Sequence, residues 1–277
     1  GHLALLCRLA KFDPKLAKDN IRAMFDYQQP DGMIIDCIYT DPAENNARDS
    51  KPPLVSWAVD EIFTHTNDTA FISEMYPQLM AYYKWWYNKR DHNRNGMCEY
   101  GSTDGTLEAA AWESGMDNAI RFDDAKMLKN DGAEDAWSMD QESVDLNAYL
   151  ALECKLLKKF AGILGVTFDG PDYSSQVADY FFDKEKGFFF DRRLKRRKLH
   201  TGTGMRSIHP LMDKSCHGRS GKSHAAPADR YSQVFYIHSL PHSGSRPSEV
   251  QSARLLAWSY LVGPDLLRYP RPAQLWI

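Results

Sequence analysis

The sequence predicts an all-α chain, part of a helical toroid whose long polar loops collect at one end. Three observations predict it. Apolar residues recur at helical spacing in one segment after another, each polar loop enters at a helix start, and strand and helix patterns do not alternate as they do in a parallel-sheet protein. Connections this long exceed those of a plain helix bundle, which points to antiparallel helix pairs in a ring.

Leu3–Ala10 reads as the end of an apolar helix. Asp13-Pro14 supplies an N-cap followed by proline at the first helical position, with Leu16, Ile21, Met24 and Phe25 as the buried face and Gln29-Pro30-Asp31-Gly32 as the stop. A loop rich in Asp, Asn and Glu runs from Met33 to Ser50. Pro52-Pro53 opens a helix with Leu54, Trp57, Ala58, Glu61 and Ile62 at helical spacing. Asn67/Asp68 opens another that runs to about Arg90, its inner stripe being Phe71, Met75, Leu79, Tyr82, Tyr83 and Trp86. Asp140-Gln141-Glu142 leads into a long helix through Leu164, ended by Gly165. Only Gly187–Asp191 looks like a strand.

The 277 residues suffice for a sizeable core, and a net charge of -3 with 26% charged residues is an ordinary balance that points away from nucleic acid. The basic run Arg192–Lys198 lacks interleaved aromatics and reads as a solvated turn. No apolar run approaches the roughly 20 residues of a membrane span. The five cysteines form no disulfide or metal framework, and His2, His65 and His92 have no ligand spacing. The chain opens directly on a helical pattern, so its N-terminal part is expected to be missing and its compartment is left open. A monomer is expected.

Ala111–Asp124 carries the chemistry. It crowds Glu113, Asp117, Asp123 and Asp124 around Trp112, with Gly115 forcing a turn. Crowded carboxylates raise one another's proton affinity, so one of them can hold a proton for a leaving group. The bland alternative, a solvated acidic turn, is about equally favoured by spacing alone; Trp112, a wall for a sugar ring, tips the balance toward a site. Arg48 and Lys51 either contact hydroxyls or form ordinary surface ion pairs. Asp91-His92-Asn93-Arg94-Asn95-Gly96-Met97-Cys98-Glu99 places oxygen ligands as in the first part of an EF-hand loop: Asp91, Asn93, Asn95, the Met97 carbonyl and Glu99. Ser102 stands where that loop needs its bidentate Glu. The segment is therefore either a structural calcium site completed from elsewhere, by Glu142 or another carboxylate, or an Asn/Gly turn.

Trp112-Glu113-Ser114-Gly115-Met116-Asp117-Asn118, Arg48-Asp49-Ser50-Lys51-Pro52-Pro53-Leu54, Met75-Tyr76-Pro77, Trp85-Trp86, Arg90–Gly96 with Glu99-Tyr100-Gly101, and Gln141-Glu142-Ser143-Val144-Asp145 together resemble glycoside hydrolase family 63, in order from about residue 1 to 194. The resemblance implies an (α/α)6 catalytic domain that inverts the anomeric carbon while cleaving α-glucosidic bonds. It implies Asp117 as general acid, Trp112, Glu113, Arg48, Asp49, Lys51, Trp57 and Glu142 as substrate-binding residues, structural calcium at Asp91–Glu99, and no catalytic cofactor. Trehalose or mannosylglycerate is the alternative substrate, and a non-catalytic carbohydrate-binding remnant the alternative class.

Residues 1–194 thus read as the N-terminal and central part of the catalytic domain, and residues 195–277 as an atypical tail. Beyond Met205 the chain holds only Asp213, Asp229, Glu249 and Asp265 as acids, with five of its nine histidines. Back-translated and read one nucleotide along, residues 233–243 permit Lys-Phe-Ser-Thr-Tyr-Ile-Pro-Phe-Pro-Thr and residues 254–261 permit Gly-Tyr-Trp-Arg-Gly-Pro-Ile, both expected of the family in this order. A frame slip near residues 199–210 is the expectation, with the family's C-terminal general-base Glu missing and the chain inactive as written.

Overall fold

Local caps set the helices. The computed structural model describes residues 7–185 and 187–194, and beyond these the backbone of two short strands, Arg206–His209 and Tyr236–Ser239, paired antiparallel. The frame-slip reading and the basic residues from Lys195 on otherwise lie outside the described residues.

Helix α1 (Pro14–Phe25) starts where Asp13 Oδ1 accepts the Leu16 amide at 2.9 Å, with proline at its first position. Its inner stripe is Ala17, Ile21 and Phe25, a strict four-residue repeat. Leu16 falls one position off that stripe and is 48% exposed, which corrects its placement in the core. Helix α2 (Val55–Thr66) ends at Asn67 in the left-handed conformation, and Asp68 immediately caps α3 (Thr69–Lys89) through the Phe71 amide. Two residues of connection make α2 and α3 an antiparallel pair. The expected stripe of α3 is buried throughout, and Trp85 and Trp86 pack edge to face with centroids 5.2 Å apart. Two short helices, α4 (Leu107–Glu113) and α6 (Val177–Phe181), flank the long α5 (Val144–Leu164), which stops at Gly165 and packs on both α2 and α3.

The all-α expectation is corrected by a four-stranded antiparallel sheet. Strands β1 (Glu99–Ser102), β3 (Trp137–Glu142) and β2 (Met127–Lys129) lie in that order, and β6 (Arg192–Arg193) pairs with the end of β3. The single strand expected at Gly187–Asp191 narrows to β5 (Phe188–Phe189), which pairs with β4 (Phe182–Asp183). The reason for the miss is physical. In β1 every residue is buried and in β3 all but the first, yet both are largely polar, so neither alternates nor reads as an apolar run. Gly101 is needed where the sheet meets α3: a Cβ there would lie 2.0 Å from the Trp137 carbonyl oxygen and 2.7 Å from Arg90 Nε. Among the described residues, α1 packs on α2, α2 on α3, and α5 on both α2 and α3.

Candidate active site

Helix α4 delivers the acidic turn. Thr106 caps it, Ala109, Ala110 and Ala111 let it pack closely, and it runs out at Trp112-Glu113. Ser114 Oγ donates to the Ala111 carbonyl at 2.6 Å and accepts the Met116 amide at 3.0 Å, while Gly115 takes φ +65°, a conformation that favours glycine. Asp117 follows, exposed, with no hydrogen-bond partner among the described residues.

Glu113 is wholly buried. Arg90, equally buried, donates to both of its oxygens at 2.8 and 2.9 Å, and the same oxygens accept the amides of Gly101 at 2.7 Å and Ser50 at 3.1 Å. The bidentate fork neutralises the carboxylate, so Glu113 joins α3, β1 and the 33–54 loop rather than facing a ligand.

The loop comes back over this turn. Arg48 stacks its guanidinium 5.2 Å from the Trp112 ring centroid and pairs with Asp104 at 2.6 Å. Lys51 Nζ donates to the Trp112 carbonyl at 2.8 Å, lies 2.7 Å from Asp36 Oδ1 and 4.0 Å from Asp49 Oδ2, and stays 46% exposed. Asn46 bridges Asp36 and Asp49 at 3.1 and 2.9 Å. Asp49 itself is buried, and its Oδ2 accepts no hydrogen bond. Burial, then the neighbouring Asp36 and Glu113 carboxylates, push its pKa up to about 7.

Arg48, Asp49, Lys51, Trp112 and Glu113 therefore come together beside the Asp117 turn. Two other expected residues go elsewhere. Trp57 packs half-buried against the helical core. Glu142 is bonded to the 91–99 loop: its Oε1 accepts Asn93 Nδ2 at 3.1 Å and Asn95 Nδ2 at 2.7 Å, and its Oε2 accepts Tyr180 at 2.6 Å.

In that loop Asp91 accepts the Asn95 and Gly96 amides at 3.0 and 2.8 Å, Asn95 Oδ1 accepts the Met97 amide at 2.8 Å, and Glu99 Oε2 accepts the His92 amide at 2.9 Å. Glu99 Oε1 is buried with no partner, and burial, then Glu142 and Asp91, raise its proton affinity well above the carboxylate range. Among the described residues no group of three or more His, Cys, Asp or Glu is placed to hold a metal. The donors that fit a hard cation are mixed carboxylate and amide oxygens, and Asn93 and Asn95 would have to turn oxygen inward to ligate one. Ser102 donates to the Thr106 carbonyl instead.

Sequence reasoning assigned no role to Arg121, Asp145 or Asp191. Arg121 donates to Asp145 at 3.1 and 2.6 Å and lies 3.2 Å from Asp191 Oδ2, all three buried. Asp191 also accepts the Val144 amide and Gln141 Nε2, each at 2.9 Å. An arginine four residues past Asp117 was the available signal.

The family model for the mannosylglycerate hydrolase MGH1-like glycoside hydrolase domain matches residues 5–230. Mannosylglycerate hydrolase MGH2 of Selaginella moellendorffii is 23% identical over 137 residues, 42% of this chain and 26% of that protein. A mannosylglycerate hydrolase of Thermus thermophilus is 26% identical over 133 residues, 40% of this chain and 30% of that protein. Among solved structures, a glycoside hydrolase family 63 mannosylglycerate hydrolase, also of Thermus thermophilus and in complex with Tris, superposes with a TM-score of 0.55 at 18% identity, over 71% of this chain and 61% of that one. The matches thus span less than a third of the curated relatives and about three fifths of the solved one.

Proposed function

This chain belongs to the MGH1-like glycoside hydrolases, a family 63 relationship, and on that premise we propose that it carries the acid half of a site that hydrolyses α-glycosidic bonds with inversion. Asp117 protonates the leaving oxygen. The observation that carries this reading is Asp117 itself: an unpaired, exposed carboxyl on a turn flanked on both sides by buried arginine–carboxylate ion pairs. An exposed carboxyl with no partner of its own can come within hydrogen-bond reach of a leaving oxygen, and the buried pairs hold the turn that carries it.

Trp112, stiffened by Arg48 on its ring and Lys51 on its carbonyl, supplies an apolar face for a sugar. Lys51 donates to the Trp112 carbonyl and faces Asp36 as an ion pair at 2.7 Å, which leaves hydrogens on its half-exposed ammonium for a substrate hydroxyl. Asp49 and Glu113 order these groups from below, and Trp57 supports α2. Inversion requires a second carboxylate roughly 6.5–9.5 Å from the acid to activate water. None of the described residues is assigned that role.

For the substrate, the relatives' names support mannosylglycerate ahead of trehalose and the α-glucosides that the sequence placed first. The test is hydrolysis of mannosylglycerate, trehalose and α-glucosyl disaccharides, with the anomer released followed by proton NMR. Turnover with inversion, lost in Asp117→Asn, is the expected result. Full activity in Asp117→Asn, or retention of configuration, overturns it; sugar binding with no turnover on any substrate supports the binding-remnant class.

A second reading has its own observation. The partnerless Glu99 oxygen and the convergence of Glu142 on Asn93 and Asn95 support a structural calcium ion held by Asp91, Asn93, Asn95, the Met97 carbonyl, Glu99 and Glu142. Such an ion would neutralise crowded buried carboxylates and take no part in bond cleavage.

A further inference from the structure

The turn bearing Asp117 leaves the protein interior at one buried arginine ion pair and re-enters it at another. On the near side Arg90 holds Glu113 by both oxygens, and Glu113 in turn holds the Gly101 and Ser50 amides. On the far side Arg121 holds Asp145 at the start of α5 and Asp191 beyond β5. Gly115, Asp117, Asn118 and Ile120 between them are exposed.

We propose that Arg90 and Arg121 are positioning residues for Asp117, two abutments that keep the exposed turn in a fixed place beside Trp112, Arg48 and Lys51. The proposal rests on reading Asp117 as the general acid. Each abutment recruits distant chain. Arg90 binds the turn to α3, and through Glu113 to β1 and the residue before Lys51. Arg121 binds it to α5 and to the segment between β5 and β6, where Asp191 also accepts the Val144 amide. Local hydrogen bonds through Ser114 shape the turn, and the two buried ion pairs fix its ends to distant parts of the chain.

The chemistry favours arginine at both places. A planar fork can satisfy two carboxylate oxygens, or two carboxylates, from one fixed direction, which an ammonium cannot. Around Arg121 burial works against the cation, and Asp145 and Asp191 more than reverse that, so its proton is held more tightly than usual. Asp191 is pushed the other way, upward, by burial and by Asp145 against the pull of Arg121. One cation is thus shared by two carboxylates. Trimming either carboxylate to an amide keeps shape and leaves the arginine a partner, a gentler change than removing the arginine.

Hydrogen exchange read by mass spectrometry on the full chain tests this without any turnover. In Asp191→Asn and Arg121→Lys, the hydrogen-bonded amides within 114–120, those of Ser114, Gly115, Met116 and Ala119, are expected to exchange about tenfold faster, the size of one lost charge-assisted hydrogen bond. Peptides from α2 and α3 are expected to keep wild-type rates. Unchanged exchange at 114–120 overturns the proposal. So does an equal rise across α3, or a failure of both variants to fold, since either makes the pairs general supports of the core. Asp117→Asn serves as the control: wild-type exchange there with lost hydrolysis supports both ideas, whereas wild-type hydrolysis sinks the acid role and leaves the exchange result standing.

Discussion

Asn95 donates its side-chain amide to Glu142 Oε1 at 2.7 Å, across 47 residues of chain. The contact brings the carboxylate at the end of β3 to a loop whose Asp91 and Glu99 are themselves buried or nearly so. Three acids crowd one another there, and burial raises both Asp91 and Glu99 from their ordinary values.

Calcium is therefore expected to stabilise the chain. At a hundredfold excess over its dissociation constant a single site adds about 2.7 kcal/mol, or roughly 5–10 °C in melting temperature. Glu142→Gln is expected to remove most of that rise. Thermal melts with calcium and with chelator check it; identical melts for the wild type in both would count against a cation at this loop.

The Arg90–Glu113 pair predicts a large loss. Glu113→Ala strands a buried guanidinium and two amides, so about 3–5 kcal/mol of stability should go. Arg90→Met with Glu113→Leu, which removes both charges, should recover part of it. Urea melts of the single and double variants decide the matter. If Glu113→Ala costs no more than a surface substitution, the pair does not support the fold.

Asp49 sets a pH dependence. Its folded pKa, about 7, lies above the unfolded value of about 3.9. The folded state then binds the proton more tightly, so the stability linked to Asp49 is fully present below about pH 4 and is lost as pH rises through 7. Asp49→Asn should flatten the melting temperature between pH 5 and 8 and be the more stable form at the upper end. A variant as pH-sensitive as the wild type would show that Asp49 is ionised throughout.

Trp112→Ala should weaken sugar binding while leaving the fold largely intact, because the ring is only half-buried and its carbonyl bond to Lys51 is retained. A loss of about 1–2 kcal/mol in affinity fits removal of one stacking face. Calorimetric titration with the substrate that shows turnover is the measurement, with the Arg48→Ala variant alongside to separate the ring from the cation on it.

The helices were legible in the sequence because their signals are local. Asp13, Asp68 and Gly165 cap or stop helices where composition says they should, and the α3 stripe is buried residue for residue. The sheet was not. Its buried Glu99, Ser138, Gln141 and Glu142 are inside because distant groups bond to them or neighbour them, and no window of sequence contains those partners. The same holds at the site. Trp112, Arg48 and Lys51 were found through residue type, and they do meet. Glu113 was found too, but its engagement with Arg90 could be seen only once α3 and α4 were side by side.

Glu153 offers a last consequence. Leu54 precedes α2 and has no side-chain oxygen to offer its first amides; Glu153 of α5 accepts the Ser56 amide instead, at 3.0 and 3.3 Å, from 97 residues away. The beginning of one helix is thus completed by the middle of another. During synthesis, α2 has to wait with an open end until α5 emerges, so a nascent chain halted before residue 153 would carry a frayed second helix next to the loop that holds Arg48 and Lys51.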